Sequence, residues 1–118
     1  AAMHELGIMR LVSKIVLENA EEAGAERVTC VNMQVGEMRH WDRNWVQYYF
    51  DYCTEGTVAE GAKVVLETVP VVYRCNACGE LYGLEGEWEK TADCPECGSG
   101  DHELVCGIEL LIKSIEVD

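Results

Sequence analysis

Cys75-Asn76-Ala77-Cys78-Gly79 and Cys94-Pro95-Glu96-Cys97-Gly98 are two copies of one turn, with fifteen residues between Cys78 and Cys94. A Cys-x-x-Cys turn brings both sulfurs to one side of a tight loop. The glycine behind each permits a positive φ, so that backbone N–H groups can point at the sulfurs. Two such turns complete a tetrahedral thiolate cage, and their spacing lies within the range used by zinc sites. A redox Cys-x-x-Cys occurs singly, at a helix start, and seven cysteines cannot all pair as disulfides. Iron tetrathiolate uses the same paired turns and stays an open rival to zinc. Four protein ligands leave no open position, which predicts a structural metal. The intervening Leu81 to Glu89, with Leu81, Tyr82, Leu84 and Trp88, is expected to form a hairpin that holds the turns together.

Apolar patterns flank this glycine-rich insert. Before it, Ile8, Leu11, Val12, Ile15 and Val16 recur at helical spacing, which predicts a helix over 5–23 closed by Gly24. Arg27 to Val35 reads as a strand with Val31, Met33 and Val35 on one face and Asn32 and Gln34 on the other. Asp42 is the expected N-cap of a second helix whose stripe is Val46, Tyr49, Phe50 and Cys53, with Gly56 past its end. Lys63 to Val72 reads as a strand interrupted or turned at Pro70. After the insert, Ile108 to Val117 reads as a strand with Ile108, Leu110 and Ile112 inward and the alternation slipping at a bulge near Ser114. The fold class that follows is α+β: two helices on a three-stranded mixed or antiparallel sheet, with an inserted zinc-ribbon-like four-cysteine domain joined by strands at about residues 70–74 and 104–108.

The 118 residues carry 22 acidic and 9 basic side chains, a net charge of −13, with 48% hydrophobic residues. Enough apolar material is present for a core, which excludes the disordered acidic class. Residues 1–74 are net −4 and residues 75–118 net −9, the latter holding only Lys90 and Lys113 as cations. Phosphate binding needs clustered Lys and Arg, so neither nucleic acid nor an anionic membrane is an expected partner. A basic patch on a partner protein is the better counterpart. No apolar run reaches the roughly 20 residues of a membrane helix, and no secretory signal is evident. Cys30, Cys53 and Cys106 lack paired spacing and read as small core hydrophobes, with Cys106 near enough to the insert to be an exposed thiol. Free thiols throughout favour a reducing, cytoplasmic compartment. No hydrolytic or phosphate-binding constellation is visible; His40 and His102 are isolated, and His40 reads as a loop residue that could at most be an accessory ligand.

Met3-His4-Glu5 stands just before the first helix. Imidazole with deprotonated backbone amides makes the nitrogen field that Ni(II) and Cu(II) favour, although Glu5 is also an ordinary first-turn acid. Taken together, Met3-His4-Glu5-Leu6, Val35-Gly36-Glu37, Gly56-Thr57-Val58-Ala59-Glu60-Gly61-Ala62, the two cysteine turns, and Gly107-Ile108-Glu109-Leu110 before Ser114-Ile115-Glu116 closely resemble the HypA/HybF family, from Met3 to Asp118. These are nickel metallochaperones of NiFe-hydrogenase maturation, shared in some bacteria with urease.

The resemblance implies a carrier, not an enzyme. It implies a nickel-binding domain, 1–70 plus 108–118, and a zinc-binding domain, 71–107. It implies structural Zn2+ on Cys75, Cys78, Cys94 and Cys97, and cargo Ni2+ on His4 with nearby backbone nitrogens. Glu5 is the neighbour of that ligand and Asp42 lies close to where the family sometimes has an acid. The implied partners are the GTPase HypB, the NiFe-hydrogenase large-subunit precursor and, where urease is served, its accessory proteins; the implied state is a monomer or weak homodimer. The family's methionine begins the chain, whereas Ala1 and Ala2 precede Met3 here, which displaces the amine from the nickel ligands by two residues. Two rival readings remain: a zinc ribbon that binds nucleic acid, disfavoured by the acidity, and a rubredoxin-like electron carrier.

Overall fold

The structure is a computed structural model that describes residues 2–83 and 93–118, with side-chain surroundings from Glu5 onward. Leu84, Trp88, Lys90 and the His4 imidazole therefore lie outside the described part. The described chain contains two α-helices and six strands: α1 (Ala2–Glu22), β1 (Val28–Gly36), α2 (Arg43–Thr54), β2 (Lys63–Val69), β3 (Val72–Cys75), β4 (Leu81–Gly83), β5 (His102–Cys106) and β6 (Leu110–Val117). It divides into two compact units. The first comprises Ala1–Gln34, Trp41–Glu67 and Leu111–Asp118; the second comprises Val35–His40 and Thr68–Leu110.

In the first unit, α1 starts three residues earlier than the pattern predicts and takes Met3 and His4 into its first turn. It ends as expected at Gly24, with φ +62°, where the Gly24 amide donates to Glu21 and the Ala25 amide to Ala20. These two bonds satisfy carbonyls that the helix end would otherwise orphan. The buried face is Met9, Val12, Ser13, Val16 and Ala20. Leu11 and Ile15, expected on that face, are 59% and 39% exposed. The helix is apolar over so wide an arc that two faces compete, and the one carrying Ser13 wins. Ser13 can be buried because its hydroxyl donates to the Met9 carbonyl at 2.8 Å.

β1 places Val31, Met33 and Val35 in the core, as the alternation predicts. It is the central strand of the order β2-β1-β6. The Asp118 amide donates to Arg27 at one end of β1 and the Gly36 amide to Glu109 at the other, so β6 runs antiparallel. Gln34 reaches Glu67 at 3.3 Å, and Lys63 acts on Cys30 at the same sequence offset, so β2 runs parallel. The sheet is therefore mixed, and α2 is the crossover of a β1-α2-β2 unit. Asn32, Gln34, Glu67, Lys113 and Ser114 occupy the polar face, which leaves the Val31–Met33 face for the helices.

Asp42 caps α2, its carboxylate accepting from the Asn44 amide at 2.6 Å. Val46, Phe50 and Thr54 are the buried residues of α2, with Thr54 satisfied by the Phe50 carbonyl at 2.8 Å; Tyr49 and Cys53 are half-buried. Replacing Asp42 by Ala should cost about 1 kcal/mol, read as a lower denaturant midpoint with an unchanged slope.

The predicted turn at Pro70 separates β2 from β3, which lie in different sheets. The second unit is built on the order β4-β3-β5, both pairs antiparallel, with Tyr73 opposite Tyr82 and Leu104. The connecting strand expected near 104–108 is β5. Ile108 is not inward: it precedes β6 and is 51% exposed, because Gly107 turns the chain at φ +122°. Leu110 and Ile112 are half-buried, and two successive exposed residues, Lys113 and Ser114, mark the expected slip in β6.

Candidate metal centre

The two cysteine turns close as the sequence predicts. Gly79 has φ +82° and Gly98 φ +74°, with nothing within 4 Å of the position a Cβ would take. Their amides donate to the Cys75 and Cys94 carbonyls at 2.9 and 2.8 Å. The Cys75 amide donates to Glu80 and the Cys94 amide to Ser99. Each turn is thus a fixed knuckle, with Cys75 and Cys94 buried and Cys78 and Cys97 exposed. The first knuckle leaves β3 directly, and the second precedes β5, which pairs with β3.

The four sulfurs all lie within 4.8 Å of one another. Cys75 touches Cys97 at 3.5 Å and Cys78 touches Cys94 at 3.6 Å. Those separations are far beyond a disulfide bond of about 2.05 Å. They match the edge of roughly 3.8 Å in a tetrahedron whose metal–sulfur bonds are about 2.3 Å. The residues therefore fit a tetrathiolate metal, and that donor set suits zinc or iron. A bound divalent cation would supply the charge that holds four thiolates together.

The protein's own dipoles favour that arrangement unevenly. The amides of Cys78 and, more weakly, Ala77 point at the Cys75 sulfur and lower its pKa to about 7 against desolvation. At Cys78 the Glu80 amide favours the thiolate. Desolvation and the neighbouring sulfurs, led by Cys94, outweigh it and push the thiol up to about 12. Cys97, helped by the Ser99 amide but opposed by Cys75 and burial, is also raised. A cage without metal loses one proton readily and keeps others. Because the folded pKa of Cys75 is depressed, its thiolate is present above about 7 and is lost as pH falls through that value. Metal binding then has one more proton to displace. The apparent zinc affinity, measured by chelator competition between about pH 6 and 8, should fall more steeply by one further factor of ten per unit below pH 7.

Spacing gives no sign of His102, which lies in β5 directly opposite Cys75. Its ring meets Tyr73 edge-on at 4.6 Å, and its buried Nδ1 has no hydrogen-bond partner among the described residues. Only strand register brings it beside the knuckle. His40 ends the turn Glu37–Arg39 in the left-handed region at φ 53°, its amide donating to Glu37. Cys30, Cys53 and Cys106 are half-buried rather than core. Burial and, after it, Glu116 raise the Cys30 thiol, and Cys106 donates to the Pro70 carbonyl at 3.3 Å. Glu5 is half-buried in the first turn of α1, and Asp42 is committed to capping α2.

Residues 3–117 match the family described as hydrogenase/urease nickel incorporation, metallochaperone, hypA. The chain belongs to the HypA family. It is 33% identical over 116 residues to the hydrogenase maturation factor HypA of Dehalococcoides mccartyi, a match that covers 98% of this chain and 95% of the relative. The fold is shared with the solution structure of the Ni metallochaperone HypA from Helicobacter pylori, at TM-score 0.64 and 19% identity over 96% of each chain. It is also shared with a second HypA solution structure, at TM-score 0.72 and 20% identity over 99% of this chain and 98% of that one. Among the described residues of this HypA-family chain, no helix is long and apolar enough to cross a membrane.

Proposed function

We propose that this HypA-family protein is a nickel carrier that delivers Ni(II) during NiFe-hydrogenase maturation and performs no catalysis of its own. The observation that carries the reading is the match to a nickel-incorporation family over residues 3–117, which includes Met3, His4 and Glu5. The cysteine cage, with four protein ligands, leaves no position for an exchangeable cargo. We assign it structural zinc in a domain of residues 71–107, and assign nickel to the domain formed by 1–70 and 108–118.

The nickel ligands are the His4 imidazole and backbone nitrogens around it, with Glu5 beside them. The placement supports an exchangeable site. His4 lies in the first turn of α1, where amides have no acceptor within the helix. The positive end of the helix dipole opposes a bound cation there. Nickel held at such a place is easily dismantled by protonation or by a competing thiolate acceptor. Asp42 is a lesser contributor, since its carboxylate already serves Asn44. The partners that follow are HypB and the hydrogenase large-subunit precursor, in a cytoplasm that keeps the cysteines reduced. Urease, named in the family's description, is a second recipient of the same chemistry.

His4→Ala should abolish near-stoichiometric Ni(II) binding in equilibrium dialysis while zinc content, by elemental analysis, stays at one per chain. Unchanged nickel affinity would overturn the assignment. A colourless purified protein excludes iron in the cage, because iron tetrathiolate absorbs visible light.

A further inference from the structure

The cage pairs its sulfurs unevenly with respect to access. Each knuckle contributes one buried and one exposed cysteine: Cys75 and Cys94 are 1% and 3% exposed, whereas Cys78 and Cys97 face solvent. Two close sulfur contacts cross between the knuckles, and each joins an exposed cysteine to a buried one, Cys97 to Cys75 at 3.5 Å and Cys78 to Cys94 at 3.6 Å. An oxidant arriving from solvent meets Cys97 or Cys78 first, and each of these has a buried sulfur of the opposite knuckle within 3.6 Å.

We propose that the cage is a site of reversible oxidative modification by hydroperoxides, in which Cys97 joins Cys75 and Cys78 joins Cys94, releasing the cation. The inference rests on the reading of the cage as a zinc site. An exposed cysteine sulfur attacks the terminal peroxide oxygen; the S–O bond forms, the O–O bond breaks, and the departing oxygen takes a proton and leaves as water from hydrogen peroxide or as an alcohol from an organic hydroperoxide. The buried partner then attacks that sulfur; the S–S bond forms, and the S–O bond breaks with loss of hydroxide, which solvent protonates to water. Each peroxide is reduced by two electrons from one sulfur pair, so two peroxides and four protons convert four thiolates into two disulfides and free the divalent cation. Both disulfides link one knuckle to the other. They replace the cross-link that a bound metal would supply between the knuckle that leaves β3 and the knuckle that precedes β5, strands paired at Cys75 and His102. The oxidised unit thus stays assembled and ready for reduction and reloading.

The test uses the full zinc-loaded chain, as wild type and with Cys30, Cys53 and Cys106 replaced by serine so that only cage thiols remain. Hydrogen peroxide is added in the presence of a chromogenic zinc chelator, and non-reducing peptide maps are taken. Release of one zinc per two peroxides consumed is expected, with Cys75–Cys97 and Cys78–Cys94 cross-links, and recovery of zinc binding after treatment with a dithiol. Cross-links within the knuckles, retention of zinc at about a hundred-fold peroxide excess, or irreversible sulfinate would overturn the proposal while leaving the zinc reading intact. A chain that carries no zinc before peroxide is added overturns both.

Discussion

Withdrawing the metal from the cage is expected to unfold the second unit while the helical unit persists. Among the described residues of the second unit, the buried cluster at the knuckles is Cys75, Tyr82 and Cys94, with Tyr73 packed against it. Two of those three buried residues are the sulfurs that must carry charge. Without a cation they either remain charged in an apolar setting or take up protons and lose their reason to converge. Structural zinc contributes an apparent 10–16 kcal/mol, to order of magnitude, in small zinc modules, more than the burial of a few side chains at about 1.5–3 kcal/mol each. The first unit does not depend on the metal. Met9, Val16, Val28, Val31, Val46, Phe50 and Val64 are all fully buried there. Amide hydrogen exchange after chelation should therefore show loss of protection in Val72–Cys75 and His102–Cys106, with Val28–Gln34 and Arg43–Thr54 still protected. Uniform retention of protection in β3 and β5 would mean that the strands, not the metal, hold the second unit.

The cage was legible in the sequence because its determinants are local. A knuckle needs two cysteines, a glycine and a few residues of fixed spacing, and strand pairing only has to bring two finished knuckles together. Asp42, Pro70 and Gly24 were legible for the same reason, since a cap, a turn and a helix stop each depend on a few neighbouring residues. The face of α1 was not. Leu11 and Ile15 are as apolar as Val12 and Val16, so periodicity could not choose between adjacent arcs. The deciding residues, Ser13 and Ala20, look too polar or too small to mark a core. A serine one turn after a helical carbonyl is the signal that could have been used, since its hydroxyl needs no outside partner. The position of His102 was out of reach, because its neighbour Cys75 is far away in sequence and only β3–β5 register joins them.

Gly36→Ala is expected to be among the most damaging single-methyl changes in the chain. The end of β1 runs against the Gly107–Glu109 segment within the second unit. The Gly36 amide donates to the Glu109 carbonyl at 2.8 Å, and the Met38 amide to the Gly107 carbonyl at 3.0 Å. Arg39 closes the same strap, its Nε donating to the Ile108 carbonyl at 2.7 Å. A Cβ at Gly36 would fall on the Gly107 carbonyl and the Ile108 amide nitrogen. These are backbone atoms that no rotamer change can move. Gly107 is itself packed close to Val71, since a Cβ added there would lie 2.7 Å from the Val71 Cα, and its φ is +122°. Gly36 itself has an ordinary φ of −63°, so alanine carries no conformational penalty there and the whole effect is steric. Overpacking a yielding core costs about 1–3 kcal/mol, and an unyielding backbone contact belongs at or above the top of that range. The expected result is a loss of at least about 3 kcal/mol in denaturant unfolding. Gly7→Ala, on α1 with nothing within 4 Å of its Cβ position, should instead be neutral or stabilising. Equal stability of the two variants would show that the strap can open without cost, which its interlocked backbone contradicts.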